Sequence, residues 1–111
     1  MTIAYADETV HIKRLAPLSD RDIARATGAG VSTVHAWTKR TRAPRGERAQ
    51  RLVELSALVE RLVRVLEPEY VPVWLNKPMP ALDDDKPIDR IADGDYRSVS
   101  RIIAELESPT F

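Results

Sequence analysis

The chain of 111 residues contains no cysteine. That excludes a disulfide framework, a thiol nucleophile and any thiolate-bound metal, and it fits a reducing cytoplasm. Aromatic residues make up only 5%, so the core must be mostly aliphatic. No apolar run approaches the length that spans a bilayer, and Met1–Lys13 lacks the basic start and apolar centre of a secretion signal, so a cytoplasmic setting without a membrane role is expected. Histidine occurs only at positions 11 and 35, with no serine–histidine–acid set and no metal-ligand spacing. Asp83-Asp84-Asp85 lacks the alternation, glycine and distal glutamate of a calcium loop, and glycine-rich phosphate loops are absent. Neither catalysis nor a metal or cofactor is therefore expected.

Net charge is missing too: 17 Lys and Arg balance 17 Asp and Glu. Divided after Leu66, the neutrality disappears. Residues 1–66 hold 12 basic and 7 acidic side chains, residues 67–111 hold 5 and 10. Lys39, Arg40, Arg42, Arg45, Arg48 and Arg51 crowd one stretch, opposed only by Glu47. Halves of opposite sign suggest two partners, or one half meeting an oppositely charged surface elsewhere.

What is present is helical patterning. Sustained apolar–polar alternation is not found, so the expected fold class is all-α. A long helix is predicted from Gly46 to Leu66, with Leu52, Leu55, Val59, Leu62 and Leu66 on one stripe and Leu58 and Val63 widening it. Each such aliphatic, once buried, contributes roughly 1.5–3 kcal/mol, so this helix organises the core. Glu67-Pro68 ends it, because the residue before proline avoids helical geometry. Upstream, Ser19 followed by Asp20 and Asp22 is a start signal of capping type for a helix ending at Gly28. A second helix runs from Val31 to about Arg40, and Glu8–Ala16 forms an earlier one. Downstream, Pro68, Pro72, Pro78, Pro80 and Pro87 forbid a long helix. A short helical stretch over Glu69–Leu75 is predicted, then an irregular segment through Asp85, a brief helix from Pro87 closed by Gly94, and a last helix from Asp95 to Glu107 with Val99, Ile102, Ile103 and Leu106 on its packing side.

The segment Asp20–Lys39 reads as two helices across a tight turn, a helix-turn-helix. Ile23, Ala24, Thr27, Val34 and Trp37 fall where the helices meet, and Gly28 suits the left-handed turn. Val31, Ser32, Thr33, His35, Ala36 and Lys39 are then left on the side of the second helix that reads bases in such motifs. Ser32 and His35 have the chemistry to hydrogen-bond base edges, and Lys39, Arg40, Arg42 and Arg45 to contact phosphates. Gly30 stands where a capping Ser or Thr is common, which leaves the turn looser. An ordinary corner of two helices, with the arginines as a solvated face, is the competing account.

The ordered series Val73-Trp74-Leu75-Asn76-Lys77-Pro78, Ala81-Leu82, Lys86-Pro87-Ile88-Asp89 and Asp93-Gly94-Asp95-Tyr96 resembles the toxin-binding domain of the Xre/MbcA/ParS antitoxins, and a helix-turn-helix ahead of it is that family's usual partner module. The resemblance covers nearly the whole chain from Ser19. It implies an Xre-like helix-turn-helix domain with its long packing helix over residues 1–66, and a small helical toxin-binding domain over 67–111. It also implies a cognate RES-domain toxin that degrades NAD, neutralised by occlusion of its active site through the antitoxin's C-terminal region. The residues expected to carry that contact are Arg97, Arg101 and Glu105 on the last helix and Ser108, Pro109, Thr110 and Phe111 beyond it, with Phe111 as an aromatic anchor or as a loosely packed end. Operator DNA is the second expected partner, and a homodimer or a higher toxin–antitoxin hetero-oligomer the expected assembly. Trp74, Leu75, Pro87, Ile88 and Gly94 are expected to be core and turn residues, with Trp74 and Leu75 plugging the junction between the long helix and the last one. A helix-turn-helix transcriptional regulator without a toxin partner is the alternative.

Overall fold

The computed structural model describes residues 5–108, with side chains from Asp7 onward. Its architecture is all-α. In order come α1 (Tyr5–Leu15), α2 (Asp20–Thr27), α3 (Val31–Lys39), α4 (Gly46–Leu62), a 3-10 turn (Pro68–Tyr70), α5 (Val71–Leu75), a second 3-10 turn (Pro80–Leu82), α6 (Pro87–Ala92) and α7 (Tyr96–Glu107). No strand occurs among the described residues; one isolated bridge joins Met79 and Asp85.

The local signals act as their chemistry dictates. The Ser19 hydroxyl accepts from the Asp22 backbone N–H at 3.1 Å, and the Asp22 carboxylate accepts in return from the Ser19 N–H at 3.1 Å, a reciprocal capping box. Gly28 ends α2 in the left-handed region, with φ 81°, which costs a side-chain-bearing residue more than glycine. Gly94 serves twice. Its φ is 86°, and a Cβ there would lie 2.9 Å from the Arg51 guanidinium that covers it.

Helix α4 stops at Leu62, four residues before the end its apolar stripe predicts. The chain tightens there into bonds of 3-10 type, Arg64 N–H to Arg61 O at 3.2 Å and Val65 N–H to Leu62 O at 3.0 Å, before the extended Glu67 that Pro68 imposes. Leu66 still packs against the core, because its own N–H keeps the helical bond to Leu62 O. The stripe thus continues one turn past the regular helix. The segment through Asp85 is likewise more ordered than expected, holding a 3-10 turn and the Met79–Asp85 bridge.

One cluster of buried side chains takes in both halves of the chain. Leu52, Leu55, Leu58, Val59 and Leu62 of α4 are fully buried and belong with Ile23 of α2, Val34 and Trp37 of α3, Ile88 and Ile91 of α6, and Val99 and Ile103 of α7. Helix α2 lies at the centre, packed on α3, α4 and α6, which is why Ala24 and Ala26 are small and buried. Trp74 and Leu75 are buried as expected. They belong to the same cluster as Leu62 of α4 and Val99 and Ile103 of α7, their helix α5 packs on α6 and on the 3-10 turn before it, and α4 and α7 also meet directly.

Candidate functional site

The first candidate surface is the outer side of α3 with the start of α4. Ile23, Ala24, Thr27, Val34 and Trp37 are all buried between the helices. Val31, Ser32, His35 and Lys39 are exposed, and Thr33 and Ala36 are half-buried. Gly30 caps α3 with no side-chain bond, but the turn has another brace. The Thr27 hydroxyl donates to Ile23 O at 2.8 Å and accepts from the Ala29 N–H at 3.4 Å.

Beyond α3 the arginines divide. Arg40 itself closes the helix at φ 63° and turns its guanidinium back to Asp7 of α1 at 2.7 Å. Arg42, Arg45 and Arg48 are exposed and have no ion pair among the described residues. Together with Thr33, Trp37 and Glu47 they line a groove of about 600 Å³ beside α3. A concave surface with uncompensated guanidinium groups at its rim attracts anions, and the phosphate backbone of DNA is such an anion. Glu47 is the acid within the groove's own lining, while Asp20 meets α3 at His35. Asp20 accepts a hydrogen bond from Lys13, and its second oxygen stands 3.6 Å from His35 Nδ1.

The second candidate surface is the outer side of α7. Asp95 caps the helix, accepting from the Ser98 N–H at 3.3 Å, and its carboxyl is held below the usual range by hydrogen bonds from Ser98 and then from Arg90. Val99 and Ile103 are buried. Leu106, expected on the packing side, is 39% exposed, because the last turn of α7 runs past the core. Arg97, Arg101, Glu105 and Ser108 are exposed, so the described part of the expected contact set shares one helix and its end. Pro109, Thr110 and Phe111 lie outside the described residues. The end of α7 is pinned by Arg61 of α4, whose guanidinium bonds both Glu107 oxygens at 2.7 and 3.0 Å and the Ser100 hydroxyl at 2.6 Å. That pairing holds the Glu107 carboxyl below its ordinary value.

The aspartate run Asp83-Asp84-Asp85 is exposed, with Asp83 and Asp84 both at positive φ. Arg90 ties it down, donating to Asp85 at 2.8 Å, to Asp95 at 2.8 Å and to Leu82 O at 2.8 Å. Pattern reading gave no hint of this clamp, since nothing local marks Arg90 as a partner for three separate acceptors. Tyr70 and Val73 were also missed as surface residues; they are 39% and 53% exposed. Their spacing of three, on the side away from Val71, Trp74 and Leu75, was the available signal.

No protein-family model matches the chain. It is 30% identical over 100 residues to the Mycobacterial cidal antitoxin MbcA of Mycobacterium tuberculosis and of Mycobacterium bovis, covering 90% of this chain and 88% of each relative. The chain belongs to the MbcA antitoxin family. Its fold agrees at the same scale. A chain in the crystal structure of the M. tuberculosis MbcT-MbcA toxin-antitoxin complex superposes with a TM-score of 0.85 and 25% identity, over 99% of both chains. The resemblance carried by the Trp74-Leu75, Pro87-Ile88 and Gly94 series is therefore borne out, and so is the all-α class.

Proposed function

We propose that this MbcA-type antitoxin neutralises a cognate toxin of the RES-domain, NAD-degrading class by covering the entrance to its active site with α7 and the segment after Ser108. We further propose that it represses its own operon through α3. The observation that carries the first part is the likeness over 99% of the chain to a component of a toxin-antitoxin complex, which extends through α7 to its end. The toxin-facing set is Arg97, Arg101, Glu105 and Ser108, with Pro109, Thr110 and Phe111 following. All four described members are solvent-exposed.

The second part rests on the first candidate surface. Ser32, Thr33 and His35 stand on α3 as base readers. Lys39, Arg42, Arg45 and Arg48 supply phosphate contacts that set affinity and register, with Arg40 contributing when it leaves Asp7. If the assembly is a dimer, the two α3 helices should sit about 34–36 Å apart to meet successive major grooves.

Co-expression tests the first part. A neighbouring reading frame that arrests growth alone should be silenced by this chain, with NAD levels restored. Deleting residues 108–111 should weaken that protection while the helical content and melting temperature stay the same. Full protection by the truncated chain would remove the C-terminal segment from the mechanism. Gel shift of the operon's own promoter at low salt tests the second part.

A further inference from the structure

The chain holds two histidines, and each faces one carboxylate with a different ring nitrogen. His11 turns Nε2 to Glu60, 2.7 Å away, across the α1–α4 contact. His35, on the outer side of α3, turns Nδ1 to the Oδ2 of Asp20, 3.6 Å away. The latter contact is longer than a hydrogen bond and acts through charge. A carboxylate repels a nitrogen lone pair and attracts an N–H, so it selects the tautomer whose proton lies on the nitrogen facing it.

Asp20 is well placed to impose that choice. It occupies the first turn of α2, on the neighbouring helix and not on α3 itself. Its Oδ1 is engaged by Lys13, which leaves Oδ2 toward His35. The Asp20 side chain is only 24% exposed, whereas that of His35 is 61% exposed. The carboxylate is thus held by its surroundings while the imidazole's other edge is in solvent.

We propose that Asp20 is a positioning residue for DNA reading: it holds the proton of neutral His35 on Nδ1, so that Nε2 is presented outward as a bare acceptor. This rests on the reading of α3 as a DNA-contacting helix. An acceptor on that helix matches an exocyclic amino group in the major groove, the N6 amino of adenine or the N4 amino of cytosine. It is repelled by the O6 and N7 acceptors of guanine. The opposite tautomer would reverse that preference. One carboxylate outside the recognition helix therefore sets which base class the helix accepts.

Long-range proton–nitrogen NMR on the free protein, at alkaline pH where both rings are neutral, reads the two tautomers independently of DNA. His35 should carry its proton on Nδ1 and His11 on Nε2. Asp20→Asn should move the His35 proton to Nε2 and leave His11 unchanged. Lys13→Gln, which removes the other partner of Asp20, should leave the His35 tautomer as it is. If His35 in the wild type already carries its proton on Nε2, or if Lys13→Gln shifts it as Asp20→Asn does, the proposal falls.

Selection from randomised duplexes reads the consequence. One operator position should favour adenine or cytosine over guanine by about 3- to 10-fold, the worth of a single neutral hydrogen bond, and the selected base says which amino group is read. His35→Ala should make that position degenerate, and Asp20→Asn should shift it toward guanine. Binding without such a preference, or with guanine preferred by the wild type, overturns the proposal while leaving DNA binding intact. No binding to any duplex at low salt overturns the reading of α3 as a DNA-contacting helix, and the base preference with it.

Discussion

Arg45 and Arg90 carry the same charge in opposite circumstances. Arg45 is exposed at the head of α4, with Arg42 and Arg48 beside it, and none of the three meets a carboxylate among the described residues. The Arg90 side chain is only 19% exposed and lies among Asp85, Asp95 and the Leu82 carbonyl. The acidic half spends much of its charge on the fold itself. Asp89 takes both arms of Arg25, at 2.6 and 3.0 Å, and Glu107 takes Arg61. Both of those arginines come from the basic half, so the halves neutralise each other at their shared seam. Among the described residues Arg42, Arg45 and Arg48, between the end of α3 and the first turn of α4, keep charge that no ion pair answers. A zero net charge therefore conceals how the charge is distributed: paired across the seam of the two halves, and unpaired among the described residues at Arg42, Arg45 and Arg48.

The sharpest way to break the comparison is to separate the halves. Ile91 of α6 and Leu55 of α4 are both fully buried in the common cluster. Ile91→Ala should cost about 2–5 kcal/mol in urea denaturation, and hydrogen exchange should quicken in α2 and α3 together with α6 and α7. Protection retained in α3 would mean the halves fold as separate units, and the seam pairs would then be incidental. The next effect is on DNA. Changing Arg42, Arg45 and Arg48 to Gln should lower the slope of log K against log salt by about 0.9 for each phosphate no longer neutralised. Arg90→Gln should leave that slope alone, because its charge is already answered. A smaller effect is expected at the other face. Arg97→Glu with Arg101→Glu should slow association with the toxin about tenfold at low salt and little at high salt, with helical content unchanged.

Much of the fold was legible because its signals are local. The capping box at Ser19, the left-handed Gly28, the apolar stripe of α4 and the proline that opens α6 each depend on residues within a turn or two of one another. The inner side of the helix-turn-helix was legible for the same reason. What pattern reading missed depends on contacts between distant segments. Arg90 reaching Leu82 O, Arg61 bonding Ser100 and Glu107, and Asp20 facing His35 leave no periodic trace. The end of α4 was misplaced because the stripe marks which side is buried, and Leu66 remains packed after the helical bonding has changed. Leu106 was placed inside for the converse reason: its spacing is right, but there is no core left beneath it.

Acid should loosen the acidic half, through two carboxylates at opposite ends of α7. Asp95, bonded by Ser98 and Arg90, and Glu107, bonded by Arg61, are both held below their ordinary values in the fold. In the unfolded chain they take up protons near their unperturbed values, about 3.9 and 4.3. The unfolded state therefore binds more protons than the fold across the interval between the two sets of values. The stabilisation is complete above the unfolded values and is lost as pH falls through the folded ones. Urea midpoints should hold level from neutral pH to about pH 5 and decline below about pH 4. Arg61→Gln removes the cause of the Glu107 shift and should make that decline shallower while lowering the neutral midpoint. The Arg42, Arg45 and Arg48 substitutions should shift neither limb, since no carboxylate among the described residues depends on them. A decline as steep in the Arg61 variant as in the wild type would place the acid sensitivity outside the α4–α7 seam, and the contrast between answered and unanswered arginines would then lose its thermodynamic meaning.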